Sequence, residues 1–144
     1  MADRISRTEF EERISDLLES RLPGLPRRWR DRHIFLKSVA ITLDPHAQYS
    51  ERELDDKLLE WLTDVAKRVH MDHVNLRRLL VEHGYLGRKR DGSSYWVAAL
   101  GPHQDMFEPE VDEVDPHRVL RDSRKRAALR KLRHIQSNAE PGTG

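Results

Sequence analysis

The side chains in this sequence best suited to chemistry are cations and carboxamides gathered in three places. Asn75, Arg77 and Arg78 lie within four residues, and Arg88, Lys89 and Arg90 form an unbroken basic run. Arg118, Arg121, Arg124, Lys125, Arg126, Arg130, Lys131 and Arg133 share residues 118–133 with one acid, Asp122. A guanidinium suits guanine edges and phosphates and a carboxamide suits adenine, so the first two groups have the chemistry that reads a duplex. The third offers salt-dependent, sequence-independent affinity for nucleic acid, or lies along an acidic protein surface, the chain's own acidic stretch included. The expected nucleic-acid contacts are therefore Asn75, Arg77, Arg78, Arg88, Lys89, Arg90, Arg124, Lys125, Arg126, Arg130 and Lys131. Competing uses exist: a charged helix face is often simply solvated, Glu82 repels a phosphate backbone, and Asp72, Asp55 and Asp56 are available to pair with Arg77 or Arg78.

Other chemistry is thinly represented. His70, Asp72, His73 and His83 hold the atoms of a metal site, but a carboxylate at a helix start caps that helix, and no second ligand pair stands at a regular spacing. No metal and no cofactor are expected. The chain lacks cysteine, a glycine-rich phosphate loop and a nucleophile-elbow serine, and the adjacent Asp55 and Asp56 read as a solvated pair on a helix exterior. The sequence thus reads as no enzyme. The absence of cysteine fits a reducing, cytoplasmic setting, and no run approaches the roughly 18 apolar residues of a membrane span.

At 144 residues, 37% apolar and 35% charged, the chain has material for one modest core under a heavily charged surface. The overall charge of +1 hides blocks: −2 over residues 1–25, +3 over 26–98, −6 over 99–115 and +6 over 116–144. These blocks mark the expected organisation. An amphipathic helix, residues 7–22, carries Phe10, Ile14, Leu17, Leu18 and Leu22, starts with a Thr8/Glu11 capping box and stops at Pro23-Gly24. Its stripe packs on its own domain or forms a homodimer.

Residues 26–98 form the central unit. A nearly all-apolar helix, residues 27–43, ends at Asp44-Pro45, and residues 46–49 are extended. A third helix of about nineteen residues starts at Ser50 with a Ser50/Glu53 capping box and buries Leu54, Leu58, Trp61, Leu62, Val65 and Val69 at 3/4 spacing. Asp72 caps a fourth helix that closes at Gly84, with Leu76, Leu79, Leu80 and His83 inward and Val74, Asn75, Arg78 and Glu82 outward. Two β-prone runs around Asp91-Gly92 make a hairpin. Helix, short strand, helix, helix and hairpin is the order of a winged helix-turn-helix, giving a mainly α fold with one small β-hairpin, flanked by terminal helices. Residues 99–115, rich in acids and proline, read as a linker, residues 116–136 as a basic helix and 137–144 as a disordered tail.

Tyr49-Ser50-Glu51 with Glu53-Leu54, then Asp72-His73, Leu76-Arg77-Arg78, Leu80-Val81, Gly84-Tyr85-Leu86, Arg88, Gly92-Ser93 and Tyr95, give residues 25–97 a resemblance. The stretch resembles a bacterial winged-helix-like domain family of unknown function, often associated with helix-turn-helix transcriptional regulators. That likeness implies a DNA-binding protein of bacterial transcription regulation. The alternative from the charge blocks is a non-enzymatic protein-interaction module that docks into a larger assembly through its terminal helices.

Overall fold

The computed structural model describes residues 3–99 and 104–139. It is mainly helical: α1 (Arg7–Glu19), α2 (Trp29–Ala40), α3 (Glu51–Asp64), α4 (His73–Glu82), a β1–β2 hairpin (Leu86–Arg88, Tyr95–Val97), two short 3-10 turns (Gln104–Met106, Pro109–Glu113) and α5 (Pro116–Ala139). Among the described residues no helix is long and apolar enough to cross a membrane.

Each of α1, α3 and α4 begins where a side chain can take up an orphan backbone donor. Ser6, not Thr8, caps α1, its hydroxyl accepting from the Glu9 N–H at 3.1 Å. Ser50 and Glu53 close the expected reciprocal box at α3, and Asp72 accepts from the Asn75 N–H at 2.7 Å to start α4. Gly84 takes φ +80° just beyond the end of α4. There its N–H donates to the Val81 carbonyl and the Tyr85 N–H to the Leu80 carbonyl, the paired bonds that close a helix with a left-handed residue.

The third helix is five residues shorter than its apolar spacing suggests. The N–H groups of Val65 and Ala66 both donate to the Trp61 carbonyl, and the chain then turns so that Val69 bridges Leu22 in parallel. Leu22 donates to the Arg68 carbonyl and His70 donates back to the Leu22 carbonyl at 2.8 Å. Val69 is buried as expected, but by a strand-like pairing with the segment after α1 rather than by helix periodicity.

One apolar cluster runs through the described chain, from Ile5 and the α1 stripe through α2, α3 and α4 to Leu120. α2 is its axis: Ile34, Phe35, Leu36 and Val39 are fully buried, and Phe35 meets Trp61 edge-on at 5.5 Å. Two polar side chains are buried with them. Ser38 donates to the Phe35 carbonyl, and His33 Nδ1 lies 2.8 Å from the Tyr85 hydroxyl.

Of the stretch expected to be a linker, residues 100–103 lie outside the described residues, and residues 104–115 form a strap across α1. Ile5 exchanges backbone bonds with Met106 and Glu108, Phe107 meets Phe10 edge-on at 6.1 Å, and Val111 and Val114 are buried. Its acids stay outside, with Asp112 on Lys37 at 2.7 Å and Glu113 near Arg7. α5 then lies along α1 through Pro116, Val119 and Leu120, and it continues as helix to Ala139, three residues past its expected end. The remainder of the expected tail, 140–144, lies outside the described residues.

Candidate nucleic-acid interface

The hairpin is a short, tight unit whose two faces differ. Leu86 pairs with Val97, Gly87 with Trp96 and Arg88 with Tyr95. The first and last pairs share the face turned to the body, and Tyr95 and Leu86 are buried there. On the outer face the Trp96 indole lies directly over Gly87, so closely that a Cβ at 87 would collide with its ring nitrogen. Tyr49 and Tyr95 exchange backbone bonds at 2.8 Å, which adds one residue of a third strand and ties the hairpin to the turn after α2.

At the tip, Asp91 accepts from both the hydroxyl and the backbone N–H of Ser93, which hold its carboxyl below the usual carboxylate range. Gly92 takes φ +76°, and a side chain there would strike Arg88. This chemistry fixes a loop that carries Lys89 and Arg90 at the surface. Both are exposed, and among the described residues neither has a carboxylate within ion-pair distance.

Between hairpin and α4 is a concave space of about 330 Å³, lined by Glu51, Val74, Arg77, Arg78, Val81, Glu82, Arg88 and Tyr95. Its three arginines are held in different ways. Arg78 is exposed, donates to the Asn75 side-chain oxygen at 2.5 Å and lies 3.9 Å from Glu82. Arg88 donates from Nε to the Tyr95 hydroxyl at 3.1 Å, so its guanidinium lies back along the hairpin. Arg77 is turned inward: it holds Asp55 at 2.5 Å and Glu51 at 3.0 Å and stands 5.8 Å from the Tyr95 ring centroid. Partial burial lowers its pKa, but the hydrogen bond and charge of Asp55, with Glu51, outweigh that and raise it.

The structure thus brings Arg78 and Arg88 to one concavity with Lys89 and Arg90 on the adjoining tip; Asn75 reaches it only through its bond to Arg78, and Arg77, though in the wall, is committed to the α3–α4 contact. Tyr95, which orients Arg88 and underlies Arg77, is not legible from the sequence as part of a site; its β-prone setting signals only a strand. Exposed Val74, on the outward face of α4, adds an apolar contact surface.

The histidines near α4 are used structurally. Asp72 is the cap, His73 stands 4.0 Å from Asp55, and His83 Nδ1 contacts the Leu79 carbonyl. Among the described residues no three metal-ligating side chains are gathered. On α5, Arg124 holds Glu19 at 3.2 Å and reaches the Val65 carbonyl, whereas Lys125, Arg126, Arg130 and Lys131 are exposed; Arg126 and Arg130 border a groove beside Glu11, Glu12 and Asp16 of α1.

Comparison with known families decides the affiliation of the central unit. Residues 21–97, more than half of the chain, match the model of a family described as an uncharacterized protein conserved in bacteria (DUF2087). The chain belongs to this family. The DUF2087 segment runs from the Leu22 bridge to the end of β2, so it contains α2, α3, α4 and the hairpin, while α1, the strap and α5 complete its core from outside. No curated protein and no solved structure matches the chain.

Proposed function

We propose that the chain is a winged-helix protein that binds duplex DNA, in the service of transcriptional control, with α4 as the helix that enters the major groove and the hairpin as the wing. The observation that carries this reading is the concavity between α4 and the hairpin, with Arg78 and Arg88 in its wall and Lys89 and Arg90 beside it. The Tyr49–Tyr95 pairing supports it further, since a short third strand commonly ties a wing to its helices.

A helix with its side chains is about 10–12 Å across and a major groove about 12 Å wide, so α4, ten residues long, can lie within one groove. Asn75 and Arg78 then face base edges, with the wing cations on the phosphates alongside. Glu51 and Glu82 at the rim oppose the backbone, so affinity is modest and strongly salt-dependent. The test is duplex binding by fluorescence anisotropy across a salt series, comparing the parent with Lys89→Ala/Arg90→Ala and Arg78→Ala. Binding at low salt that weakens in both variants supports the reading. No binding at low salt, or binding indifferent to these residues, overturns it.

A further inference from the structure

The distal half of α5 has an apolar seam that none of the described residues covers. Every side chain over residues 124–138 is exposed, and within that span Leu129, Leu132 and Ile135 are 46%, 52% and 53% exposed. Leu120, which anchors α5 on α1, is nine residues before Leu129. At about 100° per residue, Leu129 lies half a turn round from the anchored side. Leu132 is then about a third of a turn and Ile135 about a sixth of a turn from that side, so the three form one oblique apolar strip, exposed along its length.

Around the seam stand Lys125, Arg126, Arg130, Lys131 and Arg133, with Arg124 held by Glu19 of α1, and no carboxylate occurs in residues 123–139. We infer that this half of α5 is a docking helix for a partner protein with an apolar groove rimmed by carboxylates. Leu129, Leu132 and Ile135 enter the groove, and the cations pair with its edges. The inference is independent of the duplex reading, which concerns α4 and the hairpin.

Three other occupants fit less well. Pairing of α5 with α5 of a second copy places Lys125 and Gln136 next in the seam and sets cations against cations, where a coiled coil needs sustained apolar a/d positions. A phosphate backbone uses the cations but leaves the seam wet. A lipid surface calls for a broad apolar face with aromatic residues, and this seam is three aliphatic residues wide.

The test places a photo-crosslinking benzoylphenylalanine at position 132 of the full chain, in its host, followed by nuclease treatment and mapping of the cross-linked peptide. The expected product is a partner peptide from an apolar groove with flanking Asp or Glu. Its yield falls at least about tenfold in Leu129→Ser/Ile135→Ser and in Arg130→Gln/Lys131→Gln, whose melting temperatures match the parent because these side chains are exposed. Cross-links only to a second copy, to nucleic acid, to lipid or within the chain overturn the inference, as does the absence of any product or an equal yield from either variant.

Discussion

Arg77 on α4 and Asp55 on α3 are joined by a 2.5 Å charge-assisted hydrogen bond, with 15% and 22% of their side chains exposed. The bond ties α4 to α3, and it commits Arg77 to that contact rather than to the outer face of α4. Charge alone ranks Arg77 with Arg78; geometry makes the first a strut and leaves the second exposed.

Replacing Arg77 with alanine is accordingly a stability change. Loss of a partly buried hydrogen bond between charged groups costs about 1.5–3 kcal/mol, and Asp55→Asn costs less because the amide still accepts. Urea unfolding measures both. Lys89→Ala/Arg90→Ala serves as the control and leaves the midpoint unchanged.

On the proposed duplex reading, the Lys89→Ala/Arg90→Ala variant also bears on binding. Each phosphate contact contributes about 0.9 to the slope of log K against log salt, so losing both cations reduces that slope by about 1–2 and weakens all sequences alike. Arg78→Ala instead narrows the difference between preferred and random duplexes. Anisotropy titrations at several salt concentrations separate the two effects.

Gly84→Ala forces a Cβ into the left-handed region at φ +80° and loosens the closure of α4 against Tyr85. The expected loss is about 1–2 kcal/mol. At Gly24 φ is not positive and no heavy atom stands within 4 Å of where a Cβ would sit, so alanine is tolerated within about 0.5 kcal/mol. Thermal melts of the two single variants make the comparison.

Glu53 gives a pH signature. The Ser50 backbone N–H, and then its hydroxyl, hold the Glu53 carboxyl below its ordinary value in the folded chain. A depressed carboxylate contributes stability that is fully present above the unfolded value and is lost as pH falls through the folded one. Melting of the parent should thus drop faster than that of Glu53→Gln, which keeps the box but does not titrate, as pH is taken down through and below the glutamate range. Ser50→Ala, by contrast, costs about 1 kcal/mol at neutral pH.

Phe107→Ala tests the strap. Phe107 is buried against Phe10 and beneath Lys37, so its truncation costs about 3–5 kcal/mol, a core-sized loss from a stretch with the composition of a linker. Denaturant titration of the full chain reads it directly.

These outcomes trace to what the residues disclose locally. The caps at Ser50 and Asp72, the close of α4 at Gly84 and the hairpin around Asp91-Gly92 are short-range chemistry, and each is where its residues place it. The end of α3 is not, because Val65 and Val69 continue a helical spacing while a bridge to Leu22, far away in sequence, takes Val69 out of it. Acids and prolines hide the strap, although Phe107, Val111 and Val114 stand at spacings of 4 and 3, the trace of a buried face. In the site, Asn75, Arg78, Arg88, Lys89 and Arg90 are legible as residue types. That Arg77 turns to Asp55, and that Tyr95 steers Arg88, depends on how α3, α4 and the hairpin meet.

The parallel bridge between Ile5 and Phe107 also governs the order in which the molecule can be made. During synthesis α1 leaves the ribosome before α2, α3, α4 and the hairpin, yet Phe10 has no cover on its Phe107 side until about a hundred further residues have followed it. The family's own segment ends at residue 97, ahead of Phe107. The nascent chain therefore holds α1 against α2 with its Phe107 side open, and closure waits for the strap.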